Sequence, residues 1–467
     1  MSGSLLRLWL VVAGVAVGAV IGRDGSPSAT AAATMLLAGV AGCGVRRRRA
    51  VTLVALFAFG CGCGSLAAAV RAQPDPVLAA IVSDVPLCDV RGRVLERVGG
   101  SHALMSVDSA ACGDVALSDA GVVAAEVEAP IGSGYRAEGW LLRLGQDGFD
   151  GYRRDAGAAA ELIPREIEFS PPRGAFHVAA VARRGLRDSA ANIRSAEGAL
   201  VRGLTIGDTG LMAESTLESF RRSGLSHLLA VSGSNVALVL AGAGWLCRRL
   251  PFKVRIAGGA AAMMLFVLVV GPDASVLRAA GMGSIVLLAL GMGQRAEPLH
   301  ALGLALAVVI AARPQIATSV GLHLSAAATA GIILWTRPLA SRLEMLPALA
   351  RLPLAVTASA QFAVLPLLLG AFGESSLVAP VANLLAAAAV VPATALGLIG
   401  GVVGVVTPAL GGWVLRAAEP FASWILFVGE TCAGPSWASV EVPSSVGWLA
   451  AVPVVATAAW SLRSYGD

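Results

Sequence analysis

The chain has 467 residues, of which 56% are hydrophobic and only 14% charged, and its mean hydropathy is +0.75. An ordinary soluble domain is about a quarter charged, so the composition excludes a soluble globular protein and predicts a polytopic membrane protein. The net charge of +5 is carried almost wholly by arginine, with Lys253 the only lysine; loop arginines that set topology raise the charge without requiring a nucleic-acid partner.

Hydrophobic runs at about 5–21, 29–44 and 50–70 are each near the length that crosses about 30 Å of hydrocarbon. They make residues 1–70 a unit of N-terminal transmembrane helices. Arg46-Arg47-Arg48-Arg49 separates the second run from the third. The positive-inside rule makes that loop cytoplasmic, which puts the N-terminus inside and sends the third helix outward. No small-residue cleavage site follows the first run, which therefore reads as a span and not as a signal peptide.

Residues 71–175 form the soluble part, extracytoplasmic by the same argument. Turn signals recur at Gly99-Gly100, Gly132-Ser133-Gly134 and Gln146-Asp147-Gly148. Between them lie short alternating runs at Val90–Leu95, Val122–Val127, Gly139–Leu144 and Ala160–Phe169. Short strands at this spacing predict a small all-β barrel or sandwich, of a length that suits an OB-type barrel. The fold class expected is thus a mostly α polytopic membrane protein with a small extracytoplasmic all-β, OB-like domain. Cys88 and Cys112 sit in this segment, where a non-cytoplasmic location would allow them to pair as a disulfide. None of the seven cysteines has metal-ligand spacing, so no metal and no cofactor is expected.

Over residues 176–203, Phe176, Val178, Val181, Leu186, Ile193 and Leu200 alternate with Arg183, Arg184, Arg187, Arg194 and Arg202. That pattern predicts an amphipathic membrane-surface helix whose basic face would also suit an anionic polymer. Residues 204–430 read as a transmembrane core. Spans are predicted near 225–246, 256–271, 276–293, 299–312, 316–335, 352–370, 377–391 and 393–406, with an interfacial or re-entrant helix over 408–430. Residues 431–467 add a C-terminal transmembrane segment near 446–461. Arg248, Arg249, Lys253 and Arg255 follow the first core span, which then runs from outside to inside.

Three constellations in the core carry polar groups that a bilayer makes expensive. Ser226-His227-Leu228-Leu229-Ala230-Val231-Ser232-Gly233-Ser234-Asn235 lacks the G-x-S-x-G elbow and any neighbouring acid. It reads as a broken helix able to present amides to a phosphate, or as small-residue helix packing, and not as a hydrolase site. Arg278 lies just inside an apolar helix, where it either snorkels to headgroups or faces an aqueous interior. His323 is mid-span and is expected to hydrogen-bond within the bundle. Gln361 and Asn383 either bind a ligand or bridge helices, and Pro366, Pro380 and Pro392 are expected to break three successive spans.

Taken in order, these segments resemble the ComEC-type competence family. The resemblance is carried by Gly207-Asp208, Phe220-Arg221-Arg222-Ser223-Gly224, His227 to Gly233, Val276 to Met282, Arg295-Ala296-Glu297-Pro298, Gly321 to Ser325, Gln361 to Pro366 and Asn383-Leu384-Leu385. It is close over about 200–430. It implies a multi-pass plasma (inner) membrane channel, with no enzymatic step, that admits single-stranded DNA to the cytoplasm during natural transformation. On that basis His227, Ser232, Gly233, Ser234, Asn235, Arg278, His323, Gln361 and Asn383 are channel-lining candidates. Partners would be single-stranded DNA, membrane lipids, and a DNA receptor and a motor or nuclease on separate chains; a homo-oligomer is compatible with it. The other class that fits broken helices and buried polar groups is a secondary transporter or flippase for a small or lipid-linked solute.

The chain departs from the family pattern in three places. Ser234, Asn235 and Val236 follow Gly233 where many members have Gly-Leu-His. No H-x-H-x-D-H zinc motif is present, which marks a short form without the metallo-β-lactamase-like domain of many members and leaves nuclease activity to another chain. Residues 71–175 hold 16 acidic residues against 10 arginines, a net charge of −6, which opposes DNA binding by the domain as a whole. A local face of Tyr135, Arg136, Trp140, Arg143, Arg153 and Arg154 remains the candidate for DNA contact, since aromatics with arginines stack bases.

Overall fold

The computed structural model describes residues 87–97, 102–113, 115–144, 158–229, 231, 233–313, 317, 319–443, 447–454 and 457–458. The three spans expected over residues 1–70, Ser232, Arg153 and Arg154 lie outside these residues.

Five strands open the described chain: β1 (Leu87–Arg97), β2 (His102–Cys112), β3 (Val115–Glu126), β4 (Gly134–Leu142) and β5 (Ala160–Ser170). Their alternation turns one side of each strand inward. In β4, Tyr135, Ala137 and Leu141 are buried while Arg136, Glu138 and Trp140 face out. The strands close into a barrel of order β1-β2-β3-β5-β4, with β4 returning to β1. All pairings are antiparallel except the β3–β5 seam, which is parallel and joins only Val123 to Ala160 and Ala124 to Glu161. Val90, Met105, Val107, Val123, Leu141 and Leu162 fill the interior. Cys88 and Cys112 are register partners on β1 and β2 and are joined as a disulfide.

Two helices follow where one was expected: α1 (Ala175–Ala190) and α2 (Ser195–Ile206). The expectation of a single membrane-surface helix over 176–203 is corrected. The chain turns at Ala191–Arg194, and α2 is buried from Glu197 to Val201 and from Gly203 to Ile206. Small residues seat α1 just as tightly. A Cβ on Gly404 would stand 2.4 Å from the carbonyl oxygen of Gly185, so only glycine permits this backbone approach. Leu186 and Ala190 of the basic helix thus meet protein, while Phe176 and Val178 stay exposed.

The remaining helices are α3 (Glu214–Ser223), α4 (Ser226–Leu229), α5 (Gly233–Leu246), α6 (Phe252–Val270), α7 (Ala274–Gly291), α8 (Pro298–Ala312), α9 (Val320–Arg342), α10 (Ala348–Ala371), α11 (Ala379–Val406), α12 (Pro408–Arg416) and α13 (Glu419–Ala433). Among the described residues, three helical stretches are long and apolar enough to cross a membrane: Phe252–Val270, Ala350–Ala371 and Ala379–Val406. Large apolar side chains on their outer faces, such as Met264, Val402 and Val406, are exposed. A protein in water hides such contiguous apolar faces.

Two sequence expectations fail here. The spans 377–391 and 393–406 are one 28-residue helix, α11, and Pro392 lies within it. Pro366 is likewise inside α10, while Pro380 occupies the first turn of α11. Packing overrides the lost backbone donor at the two internal positions, and a proline in the first turn costs nothing because that amide has no helical partner. The predicted helix over 408–430 divides into α12 and α13. A two-stranded sheet of β6 (Glu374–Ser376) with β7 (Ser439–Glu441) ties the α10–α11 connection to the segment after α13.

Candidate functional site

The predicted break in the first core helix is present: α4 ends at Leu229 and α5 begins at Gly233. Ser275 on α7 donates to the carbonyl of Val231, at 2.9 Å, and so fixes the chain within the break. Arg278, one turn further along α7, is 94% buried. Its Nε donates to Ser325 Oγ on α9 at 2.8 Å, and its Nη1 lies 3.6 Å from Met282 Sδ. Its Nη2 would stand 3.7 Å from a Cβ on Gly233. Three separate sequence segments therefore meet at one guanidinium: the start of α5, the first turns of α7 and the first turns of α9.

No carboxylate pairs with Arg278 among the described residues. A buried cation is ordinarily paired, because leaving it uncompensated costs several kcal/mol. Here the start of α5, where a helix's first amides attract negative charge, lies beside the same guanidinium. Cationic fork and helix start together suit a phosphate or other oxyanion.

A second arginine cluster is closed. Arg187 on α1 and Arg202 on α2 both grip Asp208, at 2.9 and 2.6 Å. Burial pushes the Asp208 carboxyl up, but the Arg202 hydrogen bond and the nearby charge of Arg187 outweigh it and hold the carboxyl below its ordinary range. The basic face of residues 176–203 is therefore partly consumed in fastening α1 and α2 to the loop before α3. The Phe220-Arg221-Arg222-Ser223-Gly224 run is also a fastening. Phe220 is fully buried against Gly429, Arg221 pairs with Glu218 and Glu374, and Arg222 donates to the Pro435 carbonyl at 3.0 Å. Gly224, at φ +75°, ends α3 in the left-handed region, where a Cβ would strike Ala379 at 2.5 Å.

The other candidates scatter. His227 is exposed, with Nδ1 3.0 Å from the Gly224 carbonyl. Ser234 is exposed, whereas Asn235 is buried and donates to the Leu204 carbonyl at 2.8 Å, so it bridges α5 to α2. Gln361 donates to Ser375 Oγ at 3.3 Å, bridging α10 to β6, and Asn383 donates to Ala379 within its own helix. His323 is exposed and makes no side-chain hydrogen bond among the described residues, against the expectation of a bond within the bundle. The polar group that α9 sends to Arg278 is Ser325, two positions on. Its place in Gly321 to Ser325 is the sequence signal that could have found it.

On the barrel, Tyr135 is corrected from surface to core. It is 96% buried, its hydroxyl donates to the Ser106 carbonyl at 2.9 Å, and burial pushes the phenol well up. Arg136 is exposed but bidentate with Asp89, and that hydrogen bond holds the Asp89 carboxyl down. Trp140 and Arg143 remain outward-facing. Trp140 is flanked across the strands by Leu87 and Ile163, and all three are exposed. No cluster of three or more metal-ligating side chains occurs among the described residues.

Long apolar helices, an interrupted helix and a buried arginine that meets no carboxylate among the described residues define a membrane-type helical protein with a cationic interior site. The competence protein family matches residues 204–464, more than half of the sequence, and the chain belongs to that family. Neither the curated proteins nor the solved structures contain a match.

Proposed function

We propose that this protein is a multi-pass plasma-membrane channel that passes single-stranded DNA into the cytoplasm during DNA uptake, without chemistry on its substrate. The observation that carries this reading is Arg278, buried, fixed by Ser325, without a carboxylate partner among the described residues, and set against the start of a broken helix. A phosphodiester supplies the missing charge, passes without proton transfer, and matches the guanidinium fork. Membership of the competence family supports the same substrate. Gly233 and Ser325 would shape the path beside Arg278, and Ser234 and His227 would line it where they are exposed.

On this reading the barrel is of the OB type, supported by its order β1-β2-β3-β5-β4 and its parallel β3–β5 seam. It sits outside the cytoplasm, where its disulfide persists, with the N-terminus inside, and it offers Trp140 and Arg143 to incoming bases and phosphates. A receptor, a motor and any nuclease are separate chains. The interrupted helix also fits a transporter for a small anionic or lipid-linked solute, and one experiment separates the two. End-labelled double-stranded DNA is given to cells lacking this protein and to cells carrying wild type or Arg278→Ala, and label is followed in the extracytoplasmic and cytoplasmic fractions. DNA that stalls outside the inner membrane in the deletion and the variant supports the channel. Unchanged cytoplasmic label in the deletion sinks it and leaves the solute transporter.

A further inference from the structure

Where the barrel meets the helices, a cleft of about 180 Å³ opens between the β3–β4 connection and one face of α1. It is lined by Ala129, Pro130, Ala180, Arg183, Arg184 and Arg187. Positions 180, 183, 184 and 187 share a helical face, so the three guanidinium groups enter from one side and apolar atoms close the other. No lining side chain is an acceptor.

Among the described residues, few carboxylates reach the arginines of the cleft. Arg187 shares Asp208 with Arg202. Arg183 donates to the Val270 carbonyl, and the carboxylate of Asp273 lies within electrostatic reach of Arg183 and Arg313. Arg184 is exposed and meets no carboxylate among the described residues. Three guanidiniums therefore line the cleft with no carboxylate among the lining side chains, and the Asp208 that meets Arg187 is shared with Arg202. Arg183 and Arg187 are also held by fixed partners, so the cleft is preorganised and loses little side-chain freedom on binding.

Its position links it to the interior site. A Cβ on Gly271 would stand 3.4 Å from Ile131 of the β3–β4 connection and 3.9 Å from Arg183 Nη2. Arg313 donates to the Pro272 carbonyl at 2.8 Å. The cleft thus borders the Gly271-Pro272-Asp273 loop that starts α7. Arg278 follows Asp273 by five residues, about 7.5 Å along a helix axis.

We propose that this cleft is a phosphodiester-binding station, at which the backbone of a single nucleic-acid strand rests between the barrel and the Arg278 site. The assignment rests on the channel reading and adds to it a second phosphate contact, with Arg184 as the unengaged donor. A lipid headgroup carries the same phosphate chemistry. The strand is favoured because the cleft is framed on one side by the barrel and opens beside the α7 start, and because Arg278 continues the same cationic line inward.

The test uses the full chain in nanodiscs of neutral phosphatidylcholine and, separately, of phosphatidylcholine with phosphatidylglycerol, with a fluorescent oligothymidylate as the probe. Affinity is measured over a salt series for wild type, Arg184→Gln, Arg184→Lys and Arg278→Gln. Arg184→Gln is expected to weaken binding about tenfold in both bilayers and to reduce the slope of log affinity against log salt by about 0.7, the loss of one phosphate contact. Arg184→Lys should keep the slope, since it keeps the charge. Wild-type binding with an unchanged slope in Arg184→Gln, while Arg278→Gln binds less, overturns the cleft and leaves the channel reading standing. An effect of Arg184→Gln confined to the anionic bilayer assigns the cleft to lipid and overturns the proposal. No binding by the wild type removes both readings together.

Discussion

The loop gripped by Arg187 and Arg202 and the interior around Arg278 treat a similarly buried guanidinium in opposite ways. Around Asp208 the positive charges are closed within the protein by a carboxylate whose side chain is only 14% exposed. Around Arg278 the closest partners are a serine hydroxyl and a thioether. The first arrangement holds helices together. The second leaves the charge without a carboxylate among the described residues, and on the channel reading a phosphate supplies the counter-charge. Arginine in a membrane-type chain thus takes its role from what faces it.

Four experiments would break or sharpen this contrast. The largest effect is expected from Asp208→Asn, which strands two arginines and should cost about 3 kcal/mol; it would be read as a fall in the midpoint of thermal unfolding in detergent. An equal fall for Arg278→Gln would erase the distinction, because Arg278 is expected to contribute to binding and not to stability. Next in size is the barrel. Reducing the Cys88–Cys112 bridge, which spans 24 positions, should destabilise it by about 3 kcal/mol. Thiol labelling of both residues in untreated cells would place the barrel in a reducing compartment and reverse the proposed topology. Ser325→Ala removes the hydroxyl that fixes Arg278 and should cost about 1 kcal/mol, seen as a severalfold weaker binding of oligothymidylate.

The smallest effect is one of pH. The Asp208 carboxyl is held below its ordinary value in the folded state, so its stabilisation is complete above about pH 4 and is lost as pH falls through the lower folded-state value. Hydrogen exchange over residues 209–213 should stay flat from pH 7 to about 4 after correction for intrinsic rates, then rise. A rise already at pH 6 would mean that the clamp is not what holds this loop.

Much of the helical core was legible because long apolar runs punctuated by arginine have few alternative fates in a bilayer. The break before Gly233 was legible as well, because Ser232-Gly233-Ser234-Asn235 interrupts an apolar run with residues that favour caps and turns. Strand β2 was missed because His102–Cys112 contains little β-branched alternation; its register is dictated by β1 and β3 on either side. Tyr135 was misassigned because a residue one place from Arg136 and five from Trp140 looks like part of a surface row, while the two-residue period of β4 sends it inward. The seating of α1 depends on glycines of α11 more than 200 residues away, Gly401 and Gly404, which no local pattern announces. At the candidate site, Arg278 was visible as an intramembrane charge, but its partner Ser325 needed the third dimension.

Closure of the barrel limits how other proteins can hold it. A ring with every strand paired on both sides offers no free edge, so a receptor or neighbouring subunit cannot attach by adding a strand of its own. Recognition must use side chains on the outer wall or the connecting loops, and specificity then resides in shape and charge and not in backbone pairing. The β3–β5 seam, with two residue pairs, is the place where that rule could be suspended. Local opening there would release two edges, those of β3 and β5, without dismantling the four better-paired seams of the ring.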